Sequence, residues 1–273
     1  MKLPTSIINL FFLSTIHIVT FSQVAGLYDI NSYMPLLENK NVGLVVNHTS
    51  IIENKHLIDT LIALDVNIIS IFSPEHGFSG HYNAGEYIND SLYNSSIPII
   101  SLYGKNKELK DADLKNIDIV IFDIQDVGVR FYTYISTLHY VMEGCANNNI
   151  KLVLLDRPNP HAHYVDGPIM KQEKKSFVGM HPVPIVYGMT IGEYALMING
   201  EGWLENNLVC DLHVVQISSY SRYDKIKYDL YPAPSPNLKN MNAVFLYPSL
   251  CLFEGTLISV GRGTDFPFEV YGA

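Results

Sequence analysis

The stretch Ile68-Ile69-Ser70-Ile71-Phe72-Ser73-Pro74-Glu75-His76-Gly77 reads as a buried β-strand that stops at a polar residue and turns sharply. Its apolar run is nearly continuous and rich in Ile, the pattern of a strand covered on both faces. Pro74 sets the turn, and Gly77 allows it to close. Four further runs of the same kind occupy residues 42–46, 97–100, 117–122 and 151–155. Enough chain separates successive runs for a crossover helix, and helical patterns fall at residues 54–64, 111–116 and 134–147. The βαβα alternation predicts an α/β fold: a Rossmann-like, mostly parallel sheet with helices on both faces. The five runs end at Asn47, Ser73, Ser101, Asp123 and Asp156. In such a sheet all five ends share one edge, and ligands bind beyond that edge.

The second half has a different texture. Thr190-Ile191-Gly192-Glu193 is a capping box opening a short helix, which gives Glu193 a structural task. Residues 208–217 alternate in part and predict another strand. A proline-rich extended loop follows over Tyr231-Pro232-Ala233-Pro234-Ser235-Pro236-Asn237.

Composition narrows the function. The formal charge is −9 and no basic block stands out, which argues against nucleic acid as a partner. Nothing after residue 46 resembles GxGxxG, and GxxxxGK[ST] is absent, so neither a dinucleotide nor ATP is expected and no cofactor is predicted. G-x-S-x-G and H-E-x-x-H are also missing. The 18 Tyr suit sugar faces but also ordinary cores. Three scattered cysteines, Cys145, Cys210 and Cys251, allow at most one internal disulfide and suggest no zinc site. Lys2 precedes a run of apolar residues at 7–16, and the chain stays uncharged to Phe21, the pattern of a signal peptide. The predicted organisation is a signal peptide over 1–22, a catalytic domain over 23–230, and a linking motif with the start of a smaller second domain over 231–273. A secreted or periplasmic protein without a lasting membrane anchor follows from that reading.

Chemistry gathers at the strand ends. Glu75, on a rigid turn beside the sheet edge, is the first choice for a proton donor, with His76 beside it. Asn47 and His48 follow the first strand. Asp123, Gln125, Asp126 and Arg130, with Tyr132 and Tyr134, follow the fourth and can bind hydroxyls, N-acetyl groups or a carboxylate. Asp123 and Asp126 offer a weaker alternative as metal ligands, because no further ligand set accompanies them. Asp156 and Arg157 follow the fifth strand. The His161/His163 pair alone is weak evidence for metal. Glu254 reads equally as a second site carboxylate and as an ion-pair partner of Arg262.

Taken in order, these motifs resemble the exo-β-N-acetylmuramidase family. The carrying segments are Gly43-Leu44-Val45-Val46-Asn47-His48-Thr49-Ser50, Ile71-Phe72-Ser73-Pro74-Glu75-His76-Gly77-Phe78, Ser101-Leu102-Tyr103-Gly104 and Phe122 through Tyr134. Leu155 through Pro160, Gly188 through Glu193, Pro234 through Asn237, and Glu254-Gly255-Thr256 with Gly261 through Thr264 complete the set. The resemblance implies release of terminal N-acetylmuramic acid from the non-reducing ends of peptidoglycan fragments, in a cleft between a Rossmann-like domain and a smaller one. It places the family's proposed catalytic glutamate at Glu75. The second catalytic group is Asp123, Asp126, Glu254 or the substrate's own N-acetyl oxygen, and Arg130 or Arg157 would meet the lactyl carboxylate. Family members continue past the position of Ala273, so the far wall of the cleft is expected to be largely missing. A non-catalytic peptidoglycan-fragment binder and a metal-dependent phosphatase or esterase using Asp123 and Asp126 are the rival readings.

Overall fold

A computed structural model describes residues 23–83, 85–86, 88–223 and 232–273. The signal-peptide reading over 1–22, the 230/231 boundary and Tyr231 lie outside the described residues.

Nine strands and five α-helices form among the described residues. The strands are β1 (Asn41–Val46), β2 (Ile51–Ile52), β3 (Lys55–His56), β4 (Asn67–Ser73), β5 (Ser91–Tyr93), β6 (Ile97–Ser101), β7 (Ile119–Asp123), β8 (Lys151–Leu155) and β9 (Leu212–Val215). The helices are α1 (Ile30–Leu37), α2 (Leu57–Ala63), α3 (Tyr134–Asn147), α4 (Ile191–Gly200) and α5 (Met241–Leu250). Strands β2 and β3 make a small antiparallel ribbon. The other seven form one sheet in the order β5-β6-β4-β1-β7-β8-β9, parallel except for the edge pair β5–β6. Without β5, the parallel strands run third, second, first, fourth, fifth, sixth in chain order. That is the doubly wound Rossmann order, with its switch point between β1 and β7.

Side chains explain the two-sided cover. Along β1, Val42, Leu44 and Val46 join a core with Tyr33 and Leu37 of α1 and Leu57, Ile58 and Leu61 of α2. Val45 faces the opposite side, with Phe72, Val120, Phe122 and the apolar residues of α3, α4 and α5. Strand side chains alternate faces, so a run buried on both sides must be apolar throughout. Gly43 is the exception in β1, because a Cβ there would lie 2.9 Å from Ile117 Cδ1 and 3.1 Å from Phe72 Cε2. Residues 238–268 contribute Leu238, Val244, Tyr247, Leu250, Val260 and Phe268 to the α3-side core.

The predicted strands and the helix over 134–147 are present, and the capping box at Thr190 and Glu193 forms as read. Three local expectations are corrected. Residues 111–116 are turns rather than a helix: Leu114 N donates to Lys110 O, and the chain then leaves helical space at Asn116, φ 65°. Residues 51–56 form the β2–β3 ribbon, so α2 begins only at Leu57, where His56 accepts from Ile58 N at 3.2 Å. The strand read over 117–122 begins at Ile119. Cys145, Cys210 and Cys251 are all buried and free. Among the described residues no helix is long and apolar enough to cross a membrane.

Candidate active site

The turn after β4 places Glu75. Gly77 N donates to Pro74 O at 3.0 Å, and both His76 (φ 70°) and Gly77 (φ 72°) are left-handed. That conformation is uncommon for a histidine and is maintained only where the surroundings hold it. Here His76 Nδ1 donates to Tyr82 O at 2.7 Å, and burial lowers the ring's pKa despite that bond and the nearby Glu75 charge. The bond to Tyr82 O ties the ring to the loop.

The Glu75 carboxylate is buried and held from two sides. Thr133 Oγ1 donates to Oε2 at 2.7 Å, and Gly85 N donates to Oε1 at 3.3 Å. The Tyr103 phenol also bonds to Glu75, and its pKa is pushed up to about 12, first by burial and then by this carboxylate. Thr133 immediately precedes α3 and Tyr103 follows β6, so three strand-end loops converge on one carboxyl group.

Above it lies a cavity of about 500 Å³. Its sequence-predicted lining residues are Glu75, His76, Tyr132, Tyr134, Glu254 and Arg262. Tyr132 OH donates to Pro234 O at 2.8 Å, while Tyr134 OH lies 3.4 Å from both Glu75 O and Pro234 O. These phenols line the cavity and spend their hydroxyls on tying its walls together. Glu254 and Arg262, both lining the cavity, form an ion pair, and the Arg262 guanidinium lies 5.3 Å from the Phe268 ring centroid. Ser235, Asn237, Leu238, Tyr247 and Phe268 belong to the same wall. Residues 235–268 thus contribute several of the cavity's lining residues.

The remaining predicted site residues stand outside this cavity. Arg157 grips Asp123 with two bonds, Nε to Oδ1 at 2.6 Å and Nη2 to Oδ2 at 2.8 Å, and also donates to Thr49 O at 3.0 Å. Asp123 is fully buried, so this pair fastens β7 to the loop after β8. Asp126 accepts from Gly128 N at 2.6 Å and from the Tyr187 hydroxyl, and burial pushes its pKa up to about 6. Gln125 Nε2 donates to Pro158 O at 2.9 Å. Arg130 donates to the carbonyls of Pro168 at 2.9 Å and Val183 at 2.5 Å, and burial lowers its pKa. Asp156 accepts from Arg157 N, Gly192 N and Thr190 Oγ1 at 2.7–2.9 Å, which binds β8 to the start of α4. Asn47 donates to Tyr134 OH at 3.1 Å, and His48 Nε2 donates to Ala233 O at 2.8 Å, so both brace the cavity from behind. His161 Nδ1 donates to Val127 O at 2.6 Å, and no group of three metal-binding side chains exists among the described residues.

Thr133, Tyr103, Asn237, Tyr247 and Phe268 are site residues that the sequence reading did not single out. Thr133 and Tyr103 lie inside segments that carry the family resemblance, and position beside Glu75 is what distinguishes them there.

Residues 42–242 match the family described as Exo-beta-N-acetylmuramidase NamZ, N-terminal, and residues 245–273 match its C-terminal counterpart. The peptidoglycan beta-N-acetylmuramidase NamZ of Bacillus subtilis (strain 168) is 41% identical over 249 residues, covering 88% of this chain and 59% of that protein. The chain thus spans less than two thirds of that relative's length. Two crystal structures of DUF1343 family proteins from Bacteroides fragilis NCTC 9343 superpose well. One gives a TM-score of 0.82 at 46% identity, covering 93% of this chain and 67% of that one. The other gives 0.79 at 34% identity, covering 92% and 65%. With a Rossmann-ordered sheet, a strand-end glutamate and a family match across most of its length, the chain belongs to the exo-β-N-acetylmuramidase family.

Proposed function

We propose that the chain is a glycoside hydrolase that removes terminal β-linked N-acetylmuramic acid from the non-reducing ends of peptidoglycan fragments. The observation that carries this reading is Glu75: a buried carboxyl, restrained by Thr133 and Gly85, that lines a cavity of about 500 Å³. Glycoside cleavage needs a proton for the departing oxygen as the sugar carbon becomes oxocarbenium-like. Glu75 gives its proton to the glycosidic oxygen and the C–O bond breaks; water then bonds to the sugar carbon through its oxygen, and the proton it loses is taken up so that Glu75 is restored as the acid. Glu254 is the only other carboxyl lining the cavity among the described residues, so the second group is Glu254 or the substrate's N-acetyl oxygen. Neither Asp123 nor Asp126 lines the cavity, and Asp123 is paired with Arg157, which speaks against both that role and the phosphatase reading.

Recognition of the lactyl carboxylate moves to a different residue than the sequence suggested. Arg130 and Arg157 point their guanidinium groups at carbonyls and at Asp123. Arg262 is the only arginine or lysine lining the cavity among the described residues, and it pairs there with Glu254. An incoming carboxylate can share that guanidinium fork. The test compares aryl β-N-acetylmuramide with aryl β-N-acetylglucosaminide as substrates. Wild type should release the chromophore from the muramide preferentially. Arg262→Ala should narrow the preference by roughly tenfold, the effect of one charge-assisted hydrogen bond. Absence of any release from the muramide contradicts the proposed activity, and an unchanged preference in Arg262→Ala removes Arg262 from recognition.

A further inference from the structure

A second cleft, of about 620 Å³, opens beside the first and is lined by Asn83, Asn237, Lys239, Asp265 and Phe266, among others. Three chain segments run from one space into the other. Gly85 lines the active-site cavity and Asn83 the second cleft; Ser235 lines the first, Lys239 the second, and Asn237 both; Arg262 lines the first and residues 263–266 the second. The second cleft therefore adjoins the cavity along these segments.

Its chemistry is that of a sugar platform. Phe266 leaves 58% of its surface exposed, an apolar ring face amid amide, ammonium and carboxylate groups. The turn under it is tightly held. Thr264 Oγ1 donates to Gly261 O at 2.7 Å and accepts from Phe266 N at 3.1 Å, and Glu269 N donates to Phe266 O at 3.1 Å. Lys239 Nζ reaches Thr264 O at 3.4 Å, which brings the ammonium onto the same rim. A pyranose presents a C–H face to an aromatic ring and hydroxyl or acetamido groups to its edges. Phe266 and Asn237 supply that pairing on a fixed frame.

We propose that this cleft binds the leaving saccharide, with a pyranose ring of the N-acetylhexosamine class resting on Phe266 and its polar edge toward Asn237 and Lys239. The inference rests on the muramidase reading, because it takes the terminal sugar to occupy the cavity over Glu75. Cleavage there sends the departing oxygen, and everything attached to it, along the three shared segments.

The test sets two substrates against each other: a disaccharide with β-linked N-acetylmuramic acid on a second N-acetylhexosamine, and β-N-acetylmuramyl fluoride, whose leaving group occupies no cleft. Phe266→Ala should lower kcat/KM on the disaccharide roughly tenfold, the scale of one lost aromatic contact, and leave fluoride hydrolysis within about twofold of wild type. Lys239→Ala should show the same selectivity with a smaller loss. Unimpaired fluoride hydrolysis also reports that each variant is folded. Equal losses on both substrates, or no loss on the disaccharide, overturn the leaving-saccharide site while leaving the muramidase reading intact. No hydrolysis of either substrate by wild type overturns the muramidase reading, and this inference with it.

Discussion

At the scale of single residues, the site depends on what holds Glu75 rather than on Glu75 alone. Thr133 donates to the carboxylate oxygen Oε2, fixing the rotamer and therefore the direction in which a proton can leave. Thr133→Ala should reduce kcat by roughly tenfold to a hundredfold with little change in KM, the range expected for a hydrogen bond to a charged group that aligns the reacting atom. Thr133→Ser keeps the hydroxyl and should recover most of the rate. Steady-state kinetics on the aryl muramide check both variants, and a purely structural role for Thr133 would instead lower both in proportion to folded protein. Glu75 was legible in the sequence because Pro-Glu-His-Gly after an apolar run announces a rigid turn at a strand end. Thr133 was not, because a threonine between two tyrosines carries no mark of its direction. Asp123, Arg157, Asp126 and Arg130 were read as ligand contacts because carboxylates and guanidinium groups serve ligands and internal ion pairs equally well. Only distance separates the two uses, and here Asp123 and Arg157 use each other.

At the scale of elements, the strand-end residues that do not reach the cavity fasten neighbouring elements. Asp156 is the clearest: it ends β8 and receives three hydrogen bonds, two of them from the first residues at α4. Burial pushes its pKa up to about 6, with those bonds opposing the rise. The folded chain therefore keeps this proton to a higher pH than the unfolded chain, whose aspartates titrate near ~3.9. The stability from this proton is full below about pH 4 and is lost as pH rises through about 6. Urea midpoints measured across pH 4–7 should fall with rising pH in the wild type. Asp156→Asn should be less stable throughout but should lose Asp156's share of that slope, and an identical slope in the variant would refute the assignment. Continuous apolar runs identified the parallel strands because both faces of the sheet are covered. Helix α1 escaped notice because Pro35 lies inside it, a residue that ordinarily ends a helix. Strand β5 escaped because three exposed or half-buried residues at an edge carry no period.

For the whole molecule, the strand order decides where chemistry is possible. Between β1 and β7 the chain departs to opposite sides, which leaves a crevice beyond the carboxyl ends. Glu75 comes from the neighbouring β4, Thr133 from the loop leading into α3, and residues 235–268 close the space from the other side. The family resemblance and the sheet edge were both readable in advance. Glu254 and Arg262 were also open to the sequence as site residues, but the apolar share of residues 235–268 was not, since those side chains join the α3-side core through contacts far apart in sequence. The central claim is that Glu75 in this crevice is the proton donor for glycoside cleavage. The most direct measurement is kcat/KM of Glu75→Gln against wild type on two substrates, the N-acetylmuramyl disaccharide and N-acetylmuramyl fluoride. A proton donor matters only where the leaving oxygen needs a proton. The disaccharide rate should therefore fall by about 10²–10⁴-fold, while the fluoride rate falls far less. Equal losses on the two substrates, or an unimpaired disaccharide rate, would contradict that role.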